Sequence, residues 1–480
     1  MEITRAHISD PAFVDQCFHA QGPIALGLRD STARDRIGKL ERLRSALLQR
    51  RQALYRAFAD DFRKPIAEVE LTELLPVVDE IRHAIKHLPK WMRPLRVSPT
   101  LTTLGTSARI AYQPRGRCLI ISPWNYPVNT LISPLVSAIA AGNTAIVKPS
   151  ELTPHVNDVV ASVIGDVFAP NEVALIQGGV PTAQALLDLP FDHIFFTGST
   201  TVGRIVMAAA AQHLSSVTLE LGGKSPVIVD ETADIEKAAE TTMWAKLVNA
   251  GQTCVAPDYL LVHRSVRDQF VEQCRKTIES HFGSTDERIA ATTDFARIIS
   301  PDHTARIGKL IDDARSQGAQ VLTGGSHVTN ERYVAPTLLG NVAPHARIAG
   351  EEIFGPVLPV FEFDAIDDAI AHINARPKPL ALYVWSRNAA AVKHLLRQTS
   401  SGGACVNHCL QHYAHNGLPF GGVGASGIGN SHGFFGFKAF SHERAVLRGG
   451  RLPMVKSFFP PYTSLKTRLA RGLVDILAKA

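Results

Sequence analysis

The sequence is poor in cysteine, with six in 480 residues, and none of the six sits in a C-x-x-C pair. That excludes a disulfide-built scaffold and a paired-thiolate zinc site. Cys405 and Cys409 stand near His408 and His412, but the segment has no second ligand pair and reads as a strand running into a loop, so no metal is expected. Long apolar runs are also missing, so no membrane-spanning helix is expected. The opening MEITRAHISDPAF lacks the apolar stretch of a signal peptide. These absences together predict a reducing, cytoplasmic setting. Basic residues are not interleaved with the few aromatics, 7% of the chain, so a nucleic-acid partner is not expected. The net charge of +6 is small for this length. It gathers in RDRIGKLERLRSALLQRR and in the last 35 residues, both helically spaced, which reads as solvated helix faces.

The sequence does hold 45% hydrophobic residues, enough to fill the cores of two or three domains. Residues 30–92 read as long helices with a stripe of Leu40, Leu43, Leu47, Leu48, Leu54 and Phe58. TLTTLGTSARIAYQP alternates and reads as a strand or extended arm. From residue 117 short apolar strands alternate with helices: RCLIISP, NTAIVKPS, VALIQGG, HIFFTGS and SVTLELGG are the strands. This predicts βαβ units around a parallel sheet covered on both faces, with a nucleotide site at the carboxyl ends of the strands. A second cycle, from SPVIVDE through YLLVH and ALYVWSR to GGACVNH, predicts a second α/β domain. LPFGGVGASGIGNSHG reads as an ordered glycine-rich loop. At the end of the chain Leu465, Leu469, Leu473 and Ile476 share a helical face, for which a packed terminal helix is the expectation; gating of a tunnel or contact with lipid are the alternatives.

Four places carry chemistry. Cys254, in VNAGQTCVAPDYLLV, is ringed by small and polar residues, unlike a core cysteine such as Cys118 in RCLIIS. FTGSTTVG closes a strand and opens a helix whose amides could meet a pyrophosphate, although a plain βα turn reads as well. VKPSE puts Lys148 and Glu151 at a neighbouring strand end, where they could hold ribose hydroxyls or form a simple charge pair. LELGGK puts Glu220 in an apolar strand, which is costly without a partner or a task; taken alone, an ion pair is the simpler account.

The ordered set SPWNYP, KPSE, FTGSTTVG, LELGGK, GQTCVAPDY, EEIFGPV and LPFGGVGASGIG closely resembles the aldehyde dehydrogenase superfamily. CVAPDY and the segment from NGLPFGG to FSHER are most similar to its class 3 branch, which includes coniferyl and fatty aldehyde dehydrogenases. The resemblance implies an α/β fold: a Rossmann-type cofactor-binding domain (1–98 and 114–221), a second α/β catalytic domain (222–409) and a small β oligomerisation arm (99–113 and 436–455). A substrate-entrance and glycine-rich loop (410–435) and a C-terminal tail (456–480) complete it. It implies that Cys254 is the nucleophile, Glu220 the general base and Asn125 an oxyanion donor. It places Lys148 and Glu151 on a ribose, Gly198, Ser199 and Gly203 at the phosphate-side turn, and Glu352 and Phe354 at the nicotinamide riboside. Tyr126, His412 and Tyr413 are the candidates for contact with substrate. The implied activity is NAD(P)-dependent oxidation of a hydrophobic aldehyde, aromatic or medium to long aliphatic, through a thiohemiacetal and a thioester. Glu151 should favour NAD by repelling a 2′-phosphate, while NADP stays open. A homodimer is implied, with no membrane span and at most weak peripheral contact through the tail. A CoA-acylating dehydrogenase and a thiol hydrolase or amidase are the rival readings.

Overall fold

The computed structural model describes residues 11–450 and 458–479. The signal-peptide reading of the first ten residues, the last five positions assigned to the arm, and residues 456, 457 and 480 of the tail lie outside the described residues.

Two sheets organise the chain. The first runs, in spatial order, Gly427–Ile428, Ser216–Leu221, His193–Gly198, Arg117–Ile121, Thr144–Lys148 and Val173–Leu175. Every pair is parallel except the short Gly427–Ile428, which lies antiparallel on Ser216–Leu221. Side chains alternate between the two faces. Cys118 and Ile120 enter the core beneath helices Ala33–Gln49, Leu75–Trp91, Asn129–Ala141 and Pro154–Val167, whereas Leu119 and Ile121 enter the core beneath Pro11–Gly27, Val180–Leu187 and Thr200–His213. Burial on both faces is why these strands are apolar throughout, each Ile or Leu contributing about 1.5–3 kcal/mol. Cys118 is a core residue, as its strand predicts. Helix Asn129–Ala141 ends at Gly142, whose φ of +88° forms the left-handed cap; a side chain there would run into the buried guanidinium of Arg36.

The chain enters this sheet at Arg117–Ile121, builds outward to Val173–Leu175, then returns to the other side with His193–Gly198. That reversal opens a crevice at the carboxyl end of the central strand. The segments that begin with Ser122, Pro149 and Ser199 all leave from this end, so three motifs far apart in sequence converge.

The second sheet runs Gln320–Thr323, Thr337–Gly340, Val357–Phe363, Tyr259–His263, Pro226–Val229, Ala381–Trp385 and Gly403–Val406, parallel but for its first strand. A third sheet joins Leu95–Val97, Ser107–Pro114 and Ser441–Arg448, all antiparallel. The residues just before its last strand, Phe437 and Phe440, pack into the core of the first sheet.

Three features depart from expectation. Leu48 is exposed while Leu40, Leu43 and Leu47 are buried, because one more step of 100° carries position 48 off the stripe. The helical stretch is broken by a wide π turn at Glu70–Leu74, between Ile66–Val69 and Leu75–Trp91. The terminal helix, Ser464–Lys479, is present but not packed: none of its residues is buried, and Leu465, Leu469, Val474, Ile476 and Leu477 are exposed. Among the described residues no helix is long and apolar enough to cross a membrane.

Candidate active site

Helix Ile235–Leu247 of the second sheet ends in a loop that carries Cys254. The loop takes three consecutive left-handed residues, Asn249, Ala250 and Gly251, with φ of +54°, +52° and +76°. Such a backbone is costly for Asn and Ala and persists only where neighbours hold it. Here Glu68 accepts the Asn249 N–H at 2.8 Å, and the Asn249 side chain donates to the Asn125 carbonyl at 2.9 Å. Gln252 locks the rest. Its Nε2 donates to the carbonyls of Asn249 and Arg297, its Oε1 accepts the Ile299 N–H at 2.9 Å, and its own carbonyl accepts from Asn125 Nδ2 at 3.0 Å. At Gly251 there is no space for a side chain: a Cβ would lie 2.4 Å from the Gly355 carbonyl oxygen.

Cys254 opens onto a cavity of about 320 Å³. Its walls include Pro134, Trp244, Val248 and Leu410, and the exposed Leu71 and Leu75 reach its outer part. At the reacting end stand Cys254, Thr253, Tyr126 and Glu220. The Cys254 thiol is pushed up to about 12, first by burial and then by Glu220 and Glu352; its own N–H and that of Val255 work the other way. The protein atoms alone therefore disfavour the thiolate, so a base or an added positive charge must supply the difference.

Glu220 ends strand Ser216–Leu221 and is buried with one hydrogen bond, from the Ser431 hydroxyl. Burial pushes its carboxyl up to about 7, against the hydroxyl's pull downward. No ion pair involves it among the described residues, so the simple ion-pair account of this glutamate fails. Asn125 is buried; its Nδ2 is oriented by the Gln252 carbonyl and has a second hydrogen to give, while its Oδ1 has no partner. Tyr126 is fixed by a 2.6 Å bond between its hydroxyl and Thr253 Oγ1, with Lys64 Nζ 4.1 Å above its ring. Tyr413 lines the cavity. His412 does not: it turns to Cys405, Nδ1 to Sγ 3.2 Å, and is not among the lining residues. Asn407 and Leu410, just before this pair, are both left-handed.

The cofactor candidates gather at the crevice. Lys148 is buried at its strand end with Nζ on the Pro149 carbonyl at 3.1 Å and on Glu151 at 3.5 Å, while Glu151 is half exposed. The lysine keeps a donor unspent and the carboxylate keeps acceptors, which suits a diol. Gly198 lies against Phe196, whose ring a Cβ would meet at 2.5 Å. Ser199 caps helix Thr200–His213, its Oγ accepting from Val202 N–H at 3.3 Å. Gly203 faces Leu221, so it serves close helix–strand packing and not the turn itself. Glu352 is pushed up to about 7, mainly by desolvation, and a Cβ at Gly222 would collide with its carboxylate. Phe354, held at φ +52°, stands edge-on to Trp124 at 5.4 Å.

Three contributors carried no readable role in the sequence. Ser431 lies in the glycine-rich loop as one more polar residue. Lys224 and Asp258 pair with each other, and together they hold the Glu352 turn: Lys224 Nζ on the carbonyls of Ile348 and Glu351, Asp258 Oδ1 on Ile353 N–H at 3.0 Å. The GGK and APD ends of the motifs could have signalled it.

Comparison with known proteins gives a consistent result. The profile described as "Aldehyde dehydrogenase family" matches residues 2–446. The chain is 43% identical over 425 residues to a 4,4'-diaponeurosporen-aldehyde dehydrogenase of Staphylococcus aureus, covering 88% of this chain and 91% of that one. It is 42% identical over 412 residues to the dimeric NADP-preferring aldehyde dehydrogenase of Rattus norvegicus, covering 86% and 89%. The substrate-bound Staphylococcus aureus AldH superposes with a TM-score of 0.91 at 40% identity, over 96% of this chain and 99% of that one.

Proposed function

The chain belongs to the aldehyde dehydrogenase family and is an NAD(P)-dependent oxidoreductase, and from that premise we propose that it oxidises hydrophobic aldehydes to carboxylic acids with Cys254 as nucleophile and Glu220 as general base. The observation that carries this reading is the presence of a thiol and an unpaired buried carboxyl in one apolar cavity.

The Cys254 sulfur adds to the aldehyde carbon, and the tetrahedral adduct carries an oxyanion. The free hydrogen of Asn125 Nδ2 and the Cys254 N–H are its donors; one such donor contributes about 3–4 kcal/mol in a comparable site. NAD(P) bound at the crevice would supply the hydride acceptor and a positive charge; Lys148 and Glu151 would hold a ribose, Ser199 the phosphate side, and Glu352 and Phe354 the nicotinamide riboside. The resulting thioester is hydrolysed by water, from which Glu220 takes a proton. Thr253 beside the sulfur lines the cavity, whereas the small size of Gly251 serves its packing against the Gly355 carbonyl. Glu220 in place speaks against CoA as the acyl acceptor. Family membership leaves the thiol hydrolase reading without support.

The cavity walls fit an apolar chain or ring, aromatic or medium to long aliphatic, and the diaponeurosporenal named for one relative is an apolar aldehyde of this kind. NAD is the proposed cofactor, with NADP as a second, because the Glu151 carboxylate opposes a 2′-phosphate only by charge at a half-exposed site. A homodimer is proposed, for which Leu95, Val97, Leu101, Leu104 and Leu447 on and around the third sheet are exposed apolar contacts. Free thiols at all six cysteines suit a reducing cytoplasm. The bare apolar stripe of Ser464–Lys479 suits weak peripheral contact with lipid.

The test is direct. Purified protein is given benzaldehyde, coniferaldehyde or alkanals from butanal to hexadecanal, with NAD+ or NADP+, and reduced cofactor is followed by absorbance. Apolar aldehydes should give turnover and Cys254→Ala none; silence across the whole panel sinks the reading.

A further inference from the structure

Beside the main cavity lies a smaller chamber of about 180 Å³. The two share walls at Asn129, Ser133, Tyr413 and His432 and also at Leu71, Leu75, Pro76 and Ala414, so the small chamber is a side lobe of the main one. The small chamber is lined in addition by Asp79, Glu80 and Asn416, none of which lines the main cavity. Asp79 and Asn416 are half-buried and hydrogen-bonded to each other at 2.7 Å. Glu80 is buried; its Oε1 accepts the Gly433 N–H at 2.8 Å and its Oε2 has no partner. His432 Nδ1 has none either.

Three consecutive residues connect Glu80 to the catalytic end. The Ser431 hydroxyl donates to Glu220, and the Gly433 N–H donates to Glu80. Two residues apart, these anchors lie within about 7 Å of each other along the chain. His432 stands between them at φ +69°, stacked on Phe420 at 5.2 Å and edge-on to Tyr413 at 4.7 Å. A left-handed residue with a side chain, pinned between two rings, is a position that its surroundings over-determine.

The reaction makes protons as well as acid. Aldehyde, oxidised nicotinamide nucleotide and water yield carboxylate, reduced nucleotide and two protons. The small chamber adds two carboxyl groups, Asp79 and Glu80, that the main cavity lacks, and Asp79 is partly exposed. We propose that the side chamber is the proton and water port of the active site, with Glu80 as the relay that passes protons from Glu220 out past Asp79. This rests on the role of Glu220 proposed above. Water adds to the thioester carbon and gives one proton to Glu220; the carbon–sulfur bond breaks and its electron pair stays on sulfur. The Glu220 proton passes through water in the chamber to Glu80 Oε2 and from there to solvent, so both glutamates return to carboxylate and nothing is oxidised or reduced. Burial raises both carboxyls to about 7, which makes the transfer between them nearly level. The titratable groups around Glu80 are Asp79 and His83 on its own helix and His432 and Tyr413 across the chamber.

Glu80→Gln keeps an acceptor for the Gly433 N–H and removes the transferable proton. In dilute buffer, with benzaldehyde and saturating NAD+, its first-turnover burst of NADH should match the parent, while steady-state turnover falls by about tenfold or more. Added imidazole, a diffusible proton carrier, should restore turnover. Asn416→Leu, which alters the small chamber at a residue that does not line the main cavity, should show the same split between burst and turnover. Turnover of Glu80→Gln within about twofold of the parent, a burst lost in proportion to turnover, or a fall that imidazole leaves unrelieved would each overturn the relay. If Glu80→Gln does not fold, as judged by thermal unfolding, unchanged turnover in Asn416→Leu overturns it. Absence of NADH from the parent protein refutes the dehydrogenase reading instead.

Discussion

Glu73 and Glu220 are both buried glutamates near the cavity, and they are furnished in opposite ways. Glu73, on the π turn, faces the fully buried ammonium of Lys64 at 2.9 Å and accepts the N–H groups of Val128 and Asn129 at 3.2 and 2.9 Å. Three partners cover it, and what it achieves is placement: it ties the start of helix Asn129–Ala141 to the floor beneath Tyr126. Glu220 has one hydroxyl and no cation. The contrast separates a carboxylate used as a joint from one kept for chemistry. A satisfied group has nothing left to give, whereas an unsatisfied one keeps its proton near neutrality and can trade it.

The largest effect should come from removing the tradable proton. Glu220→Gln should leave a burst of NADH and slow steady-state turnover by about 10²–10⁴-fold, the usual contribution of a general base. Quenching the reaction and detecting the acylated Cys254 by mass spectrometry checks it; unchanged turnover removes Glu220 from the mechanism. The joint should fail differently. Lys64→Met leaves a buried carboxylate unpaired and should destabilise the fold by about 3–5 kcal/mol, read by chemical denaturation, with the double variant Lys64→Met/Glu73→Gln recovering part of the loss. If both singles affected turnover but not stability, the contrast would collapse.

A smaller effect tests the one bond that Glu220 has. Its carboxyl, raised to about 7, is a base only above that point, so deacylation should rise as pH increases through about 7 and then level off. The Ser431 hydroxyl holds that value down, so Ser431→Ala should move the rising limb to higher pH; a limb that stays put excludes Ser431 as the tuning group. The smallest effect belongs to Tyr126→Phe, which loses the bond to Thr253 and should cost about 1 kcal/mol in kcat/KM.

How far these parts could be read from the sequence depended on whether neighbours in sequence are also neighbours in space. The strands around Arg117–Ile121 were legible because burial on both faces leaves an unbroken apolar run. The motif residues Cys254, Glu220 and Tyr126 do meet in one cavity. The first helix, Pro11–Gly27, was missed although it buries Val14, Cys17, Phe18 and Gln21 at helical spacing. The fourth place of that stripe is a glutamine, whose Nε2 donates to the Ala145 carbonyl at 2.9 Å, so the apolar pattern is broken where the contact is polar. The terminal helix was the reverse case: its period was plain, but periodicity says nothing about what, if anything, covers a face. His412 and Tyr413 show the limit at single-residue scale: of two adjacent loop residues one turns to Cys405 and the other lines the cavity, a difference that no spacing in the sequence records.

The Gly251–Gly355 contact sets an order of events during synthesis. The thiol loop rests on a carbonyl that the ribosome adds a hundred codons later, and the base is tethered by a serine later still. An incomplete chain that already carries Cys254 therefore carries an ordinary thiol without its setting. The site is completed only by the last part of the chain, which brings in Gly355 against the thiol loop and Ser431 against the base.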